Sequence, residues 1–216
     1  MKLSKYIDHT LLKPQATEAE LKKLCEEAIQ YDFAAVCVNP CNVAYCASIL
    51  ESTKIKLASV VGFPLGASIP SIKSAETLMA VEDGANEIDM VINIGALKDK
   101  KYELVEADIK AVVDSAEFNT VKVIIETCLL SDEEKVKACE LARSAGAHFV
   151  KTSTGFSTGG ATVEDVELMY KTVGKELKVK ASGGVRTYED AQALIDAGAS
   201  RIGASSGLAI LEGNKS

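Results

Sequence analysis

The sequence predicts an α/β fold, a TIM (β/α)8 barrel in which a parallel eight-stranded barrel is surrounded by outer helices. Short runs rich in β-branched residues alternate with amphipathic helical patterns along all 216 residues. Eight strands that are each followed by a helix imply a parallel sheet, and this number closes most economically into a barrel. No GxGxxG fingerprint of the rival open sheet follows a strand, and no linker divides the chain. We therefore expect one barrel domain over residues 1–216.

The predicted strands are short and are spread along the whole chain. In chain order they cover residues 6–11, 34–38, 56–62, 87–93, 121–127, 148–153, 178–182 and 201–204. Several helices between them begin at recognisable caps. Thr17 and Ser131 are each followed by a glutamate three residues later, which is the capping-box pattern. Thr162 and Thr187 are expected to cap two later helices.

Composition and charge narrow the class of protein. Hydrophobic residues make up 47% of the chain, enough for one large buried core. The net charge is −7 and no basic block stands out, so we expect no nucleic-acid partner. No apolar run approaches the roughly 20 residues that cross a bilayer, and the N-terminus lacks the apolar segment of a signal peptide. The six cysteines form no CxxC pair, so we expect reduced thiols in a cytoplasmic protein without a membrane partner.

A weak internal repeat indicates which side chains point into the barrel. Three Gly-Ala pairs, which begin at Gly84, Gly146 and Gly198, each stand at the end of a predicted helix and just before a strand. Five residues after the glycines stand Asp89, Lys151 and Gly203, which are thus equivalent points on three strands. Side chains alternate across a strand, so these positions should face the same way, and the apolar neighbours of Asp89 should pack under helices. The inward set then includes Lys180 as well, close to the carboxyl ends of the strands, where barrel enzymes place their active sites.

Two inward lysines suggest imine chemistry. Lys151 and Lys180 lie on neighbouring predicted strands and should face one another. Burial and mutual repulsion are each expected to lower a lysine pKa, toward about 7–8, which would leave a neutral amine able to attack a carbonyl. One lysine would then be the nucleophile, and the other would stay a cationic neighbour and act as an acid. Asp89 would then partner a lysine and shuttle protons through water. The alternative interpretation is a structural network in which the lysines pair with Glu126 or Asp89.

Glycine-rich turns after the last strands predict a phosphate site. Barrels commonly bind phosphate at the loops after strands 7 and 8, through backbone N–H groups. The loop after strand 6 adds hydroxyls close to Lys151. The candidate substrate-binding residues are Gly155, Gly183, Gly184, Gly203, Ser205 and Ser206. Ordinary strand-to-helix turns, and a polar turn at Gly155, are the alternatives.

Few residues are available to bind a metal. The two histidines, His9 and His148, lack metal-ligand spacing, so no zinc site is expected. We expect no metal and no cofactor, although a magnesium ion held by carboxylates and phosphate stays open. Cys37 reads as a small buried hydrophobe and His9 as a polar residue at the end of a strand.

Six segments together resemble a known family. They are IDHTLL at 7–12, VCVNP at 36–40, VVGFPLG at 60–66, EIDMV at 87–91, FVKTSTG at 149–155 and VKASGGVR at 179–186. In this order, and over almost the whole chain, they resemble the deoxyribose-phosphate aldolases. The resemblance implies a class I aldolase, a carbon–carbon lyase that reversibly cleaves 2-deoxy-D-ribose 5-phosphate to D-glyceraldehyde 3-phosphate and acetaldehyde. It places the chain in deoxyribose phosphate catabolism, with a phosphorylated sugar as its small-molecule partner.

The resemblance also implies roles for individual residues. Lys151 matches the Schiff-base lysine, and Asp89 and Lys180 match the proton-relay pair. The glycines and serines of the two last loops match the family's phosphate site. In this chain Phe156 stands where some members carry a lysine, and the chain ends LEGNKS without the terminal tyrosine of some members.

Two rival functions and the assembly state stay open. One rival is a barrel enzyme that acts on another phosphorylated substrate with carboxylates as acid and base, so that the lysines are structural. The other is a phosphosugar-binding module without catalysis. A homo-oligomer, either a dimer or a tetramer, is also left open.

Overall fold

The computed structural model describes residues 2–213, and its strands close into a parallel barrel in sequence order. The strands are β1 Ile7–Leu11, β2 Ala35–Val38, β3 Lys56–Val61, β4 Glu87–Val91, β5 Thr120–Ile124, β6 Phe149–Lys151, β7 Lys178–Ser182 and β8 Ala199–Ala204. β8 pairs with β1, with Asp8 opposite Gly203, which closes the cylinder. The predicted TIM barrel is therefore confirmed.

Nine α-helices surround the barrel within the described residues. They are α1 Glu18–Tyr31, α2 Val43–Leu50, α3 Pro70–Glu82, α4 Ile94–Lys98, α5 Tyr102–Ser115, α6 Asp132–Ser144, α7 Val163–Val173, α8 Tyr188–Asp196 and α9 Gly207–Gly213. In this part of the chain, none of them combines the length and the apolar character that a bilayer crossing requires.

The four predicted helix caps are all present. The side chains of Thr17 and Ser131 accept hydrogen bonds from backbone N–H groups three residues on, and both sites form complete capping boxes. Thr162 caps α7, and Thr187 caps α8 with Asp190 completing the box. Each cap satisfies backbone donors that the first helical turn leaves unpaired, a contribution of about 1 kcal/mol. The caps thus fix where each helix starts above the preceding strand.

Several strands end earlier than predicted. β3 stops before Gly62, whose φ is +61°, and β5 stops shortly before Glu126, whose φ is +58°. A positive φ turns the chain out of the ladder, which hydrophobic alternation does not reveal. β6 has only three residues, so Lys151 is its last residue and lies at the carboxyl end of the barrel.

The apolar residues form two layers. The larger layer lies between strands and helices and includes Ile88 and Met90, which are fully buried there as the alternation around Asp89 predicted. A smaller cluster lies apart from it and consists of Leu12, Cys37, Ala58 and Val60, with Phe63 packed against it. Burial raises the pKa of the Cys37 thiol.

A buried ion pair links two outer helices to the end of β4. Lys73 Nζ of α3 lies 2.5 Å from Asp108 Oδ2 of α5 and donates to the carbonyl of Val91 at 2.8 Å. Both charged side chains are almost completely buried. Burial lowers the pKa of Lys73 and raises that of Asp108. The pair lies between β4 and the outer helices, so it is a buried Asp–Lys contact outside the barrel interior.

Candidate active site

The three residues predicted from the sequence to be catalytic lie in contact inside the barrel. Lys151 and Lys180 are register partners on β6 and β7. Lys151 Nζ donates to Asp89 Oδ2 at 2.7 Å, and Lys180 Nζ donates to the same oxygen at 2.8 Å. Lys151 is only 3% exposed, and the other two are fully buried. Strand alternation therefore placed all three on the inner face, where one carboxylate bridges two ammonium groups.

The sequence reasoning missed four further charged residues of this cluster, Asp8, Glu87, Lys122 and Arg201, although a signal was present for the last three. Lys122 is the register partner of Asp89 on β5 and alternates between two valines. Glu87 lies two residues before Asp89, and Arg201 lies two residues before Gly203. A step of two along a strand keeps the same face, so extending the alternation by one step finds both.

Six of the charged side chains close a cycle of alternating sign, which we call the charge ring. Its members in order are Arg201, Asp8, Lys180, Asp89, Lys122 and Glu87. Lys151 is attached from outside the cycle, through Asp89.

The contacts around the charge ring are short. Lys180 Nζ lies 2.5 Å from Asp8 Oδ2, and Lys122 Nζ lies 2.7 Å from Asp89 Oδ1. Lys122 Nζ is also 2.5 Å from Glu87 Oε2, a charge contact without hydrogen-bond geometry. Arg201 closes the cycle by donating from NH1 to Asp8 and from NH2 to Glu87 Oε1, the latter at 2.8 Å. Every member therefore has an opposite charge on each side, which offsets the cost of burial.

The electrostatics separate Lys151 from the other two lysines. Burial lowers the pKa of Lys151, and the Lys180 cation adds to this against the opposing attraction of Asp89. Burial would also raise the pKa of the Asp89 carboxyl, but the three surrounding ammonium groups hold it well below its ordinary value. Lys151 is therefore the lysine inclined to lose its proton beside a carboxylate that stays ionised.

The pKa of Lys180, the other facing lysine, is shifted in the opposite direction to that of Lys151. Burial disfavours its cation, but Asp8 and Asp89 together outweigh burial and raise the pKa of Lys180. The same holds for Lys122, whose pKa is raised by Asp89 and Glu87 against burial. A lysine held between two carboxylates keeps its proton, and Asp8 could not be assigned to Lys180 without the closed barrel.

Glu126 does not pair with a lysine of the cluster. Its carboxylate accepts from Thr154, at 3.2 Å from the backbone N–H and at 2.5 Å from the hydroxyl. Thr154 Oγ1 in turn accepts from the N–H of Phe156 at 3.0 Å. Of the two acids named in the structural alternative, only Asp89 contacts the lysines, and Glu126 instead fixes the loop after β6.

A cavity of about 320 Å3 opens at the carboxyl end of the barrel. Lys151 lines it together with every candidate substrate-binding residue, namely Gly155, Gly183, Gly184, Gly203, Ser205 and Ser206. The amine and the three loops therefore face one space, as a substrate with a carbonyl at one end and a phosphate at the other requires.

Two of the glycines are required by the local geometry. Gly183 has a φ of +86°, and a Cβ added at this residue would lie 3.0 Å from Gly160 Cα. Its carbonyl accepts from the N–H of Ala161 at 3.0 Å, which joins the loops after β6 and β7. A Cβ on Gly203 would lie 3.1 Å from Lys180 Cε and 2.9 Å from Ser182 Cβ. Glycine at 203 thus leaves room for the Lys180 side chain.

Two cations and an aromatic ring complete the lining of the cavity. Lys13, which the sequence reasoning did not single out, and Arg186 both line the cavity. So does Phe156, whose ring meets Phe63 edge-on at 5.2 Å between centroids. An apolar ring therefore occupies the position where some members of the resembled family carry a lysine.

The histidines and the chain end lie away from this arrangement. His9 Nε2 lies 2.8 Å from Glu27, and the ring packs against Phe33 rather than lining the cavity. His148 Nδ1 accepts from the N–H of Val121. Across residues 2–213, the structure shows no group of three histidine, cysteine or acidic residues arranged to hold a metal ion. The last residues of the tail, 214–216, lie outside the described residues.

Comparison with known proteins shows similarity to one group of aldolases. The model of the DeoC/LacD family aldolases matches residues 2–213. The chain is 63% identical over 215 residues to the deoxyribose-phosphate aldolase of Macrococcus caseolyticus, covering 100% of this chain and 98% of that one. It is 62% identical to that of Clostridium perfringens, covering 99% and 96%. The tetrameric deoxyribose phosphate aldolase from Aeropyrum pernix superposes with a TM-score of 0.93 at 36% identity, covering 99% and 91%.

Proposed function

This chain belongs to the DeoC/LacD family of aldolases, and from that premise we propose that it cleaves 2-deoxy-D-ribose 5-phosphate through an imine on Lys151. The products are acetaldehyde and D-glyceraldehyde 3-phosphate, and the reaction is reversible. The observation that carries the proposal is the position of Lys151. Its amine, with a lowered pKa, lines the same cavity as the glycine-rich loops.

The reaction begins with attack on the aldehyde carbon of the open-chain sugar. The neutral amine of Lys151 adds to C1, and loss of water leaves an iminium ion. The C2–C3 bond then breaks as the C3 hydroxyl loses its proton, and the bonding electrons move into the iminium to give an enamine. D-glyceraldehyde 3-phosphate leaves at this point. Protonation of the enamine at C2 and hydrolysis then release acetaldehyde and restore the amine.

Asp89 and Lys180 supply the proton transfers in this proposal. Asp89 is held as a carboxylate by its lysine neighbours, so it can accept and orient a proton through water. Lys180 is held as a cation by Asp8 and Asp89, so it can direct a hydrogen bond to the water that carries a proton between Asp89 and the substrate. Both lie within 2.8 Å of one another and next to Lys151. The relay therefore adjoins the nitrogen that carries the substrate.

Reductive trapping tests the nucleophile. Incubation with deoxyribose 5-phosphate and borohydride is expected to leave a reduced adduct on Lys151, because borohydride converts an imine into a stable secondary amine. Peptide mass spectrometry locates the adduct, and the peptide that carries Lys178, an exposed lysine on β7, serves as an internal control.

Two results would argue against this proposal. An unmodified Lys151 during turnover would favour a barrel enzyme with carboxylate acid–base chemistry. Binding of the sugar phosphate without acetaldehyde release would favour the phosphosugar-binding module.

The phosphate site gives a separate prediction about Lys13 and Arg186. Because both cations line the cavity and Phe156 supplies no charge, we expect the phosphate to rely on them. Alanine at either position should raise KM for deoxyribose 5-phosphate about tenfold, the loss of one charge-assisted hydrogen bond. The kcat/KM for unphosphorylated deoxyribose should change little.

Lys175→Ala is the matched control for this comparison, because Lys175 lies in the α7–β7 connection at the opposite end of the barrel. Equal losses for the phosphorylated and unphosphorylated sugars would show that the two cations do not contact phosphate.

The remaining parts of the proposal concern the setting of the enzyme. Residues 1–216 act as one catalytic domain in the cytoplasm, in deoxyribose phosphate catabolism, and all six cysteines are free thiols. A homo-oligomer is supported by the tetrameric relative from Aeropyrum pernix.

A further inference from the structure

The side of the charge ring that carries Arg201 and Glu87 has no direct part in the proposed reaction. Neither residue lines the cavity. Among residues 2–213, the ion-pair partners of both side chains are ring members, and the Arg201 guanidinium also lies 5.9 Å from the Phe149 ring. Glu87 is 3% exposed and the Arg201 side chain 13%. Burial of two charged groups away from the substrate needs an explanation, because a buried ion pair is weak evidence for a gain in stability.

The number of charges in the ring explains why these two residues are buried. The charge ring contains three cations and three anions, so its net charge is zero. Lys151 shares Asp89 with two other lysines, and within the described part of the chain no second carboxylate pairs with it. A protonated Lys151 would therefore give this buried cluster a surplus positive charge, which a low-dielectric interior disfavours.

We propose that Arg201 and Glu87 are positioning residues that keep the charge ring neutral and so make Lys151 the lysine that loses its proton. Arg201 holds Asp8 against Lys180, and Glu87 holds Lys122 against Asp89. Lys180 and Lys122 thus stay protonated, and Asp89 stays ionised. This inference rests on the proposed role of Lys151 as the imine-forming amine.

The groups that face Lys151 are consistent with this assignment. Asp89 of β4 and Lys180 of β7 are the nearest charges, and the Cys37 thiol faces Lys151 from β2. The pKa of Cys37 is raised by burial, so this thiol stays neutral and does not enter the charge count. The pKa of Arg201 is raised by Asp8 and Glu87 against burial, so it stays a cation.

Removal of single charges from the ring tests the inference through the pH dependence of imine formation. Arg201→Met removes a cation, so a protonated Lys151 restores neutrality. The acid limb of the pH profile for imine formation, where protonation of Lys151 reduces the rate, should therefore move to higher pH by about one unit. Glu87→Gln removes an anion, so the limb should move to lower pH by a similar amount. The double variant is neutral again, and its limb should return close to that of the wild type. The measurement is the rate of reductive trapping of acetaldehyde on Lys151 as a function of pH.

Arg201→Lys is the conservative control, because it preserves the charge while changing the geometry, and its limb should stay in place. Loss of structure alone cannot produce shifts of opposite sign that cancel in the double variant. If Arg201→Met does not fold, Glu87→Gln and the charge-balanced double variant still give the predicted shift and its reversal.

The inference would be overturned if the acid limbs of the two single variants moved in the same direction, or if neither moved. A wild-type protein without an adduct on Lys151 would instead refute the proposed function, so the two failures are distinguishable.

Discussion

Lys151→Arg is expected to reduce cleavage of deoxyribose 5-phosphate by on the order of 10⁴-fold or more, the scale seen when a catalytic nucleophile is removed. A guanidinium group remains protonated at every pH at which the protein is folded and cannot add to a carbonyl. Arginine keeps a hydrogen-bond donor beside Asp89 but adds a permanent charge to the buried cluster, so urea denaturation should accompany the rate measurement to separate lost chemistry from lost stability. Steady-state cleavage, measured by acetaldehyde release, checks the rate.

Lys178→Arg is the matched control, because Lys178 lies on the neighbouring strand but is exposed at its start. It should retain nearly the full rate. If Lys151→Arg kept turnover within about tenfold of the wild type, the amine of Lys151 could not be the nucleophile. Trapping should fail in Lys151→Arg and persist in Lys178→Arg, so the two measurements report on the same nitrogen.

Asp89→Asn is expected to lower kcat by about 10²- to 10⁴-fold, the usual range for loss of a general acid–base group. The amide has nearly the shape of the carboxylate but cannot accept a proton or balance the lysines around it. Reductive trapping of acetaldehyde on Lys151 should persist, because removal of the anion favours the neutral amine. This variant should therefore lose cleavage activity while it still forms the imine.

Asp108→Asn provides the stability control for Asp89→Asn. Asp108 is also a buried carboxylate paired with a lysine, at 2.5 Å from Lys73, but it lies between two outer helices. Removal of one partner of a buried pair costs about 3–5 kcal/mol, so urea denaturation should show both variants destabilised. Only Asp89→Asn should lose kcat. Equal fractional losses of activity in the two variants would assign Asp89 a structural role alone.

The strand period was sufficient to select the inner face of the barrel. A side chain at every second position of a strand points the same way, and this rule together with the Gly-Ala repeat is sufficient to select Asp89 and Lys151. Glycine-rich turns after β7 and β8 were likewise local features, and the structure places all of them on one cavity with Lys151. Helix starts at Thr17 and Ser131 followed from hydrogen bonds within one turn.

Contacts between distant strands were decided only by closure of the barrel. Asp8 and Lys180 are 172 residues apart, and Asp8 and Arg201 are 193 residues apart. Their pairing depends on the register between β1, β7 and β8, which no local pattern encodes. The lysine pKa values followed the same rule. The two facing lysines alone indicated one lowered pKa, and the carboxylates of the charge ring determine that it is not the pKa of Lys180.

The amino-acid sequence by itself thus determined the eightfold alternation, the inner face and the residue types needed for imine chemistry, because these depend on local periodicity and side-chain identity. The tertiary structure decided which lysine contacts a single carboxylate and which lysines lie between two. The balance of charge in a buried cluster depends on all its members at once, and they meet only when β8 pairs with β1.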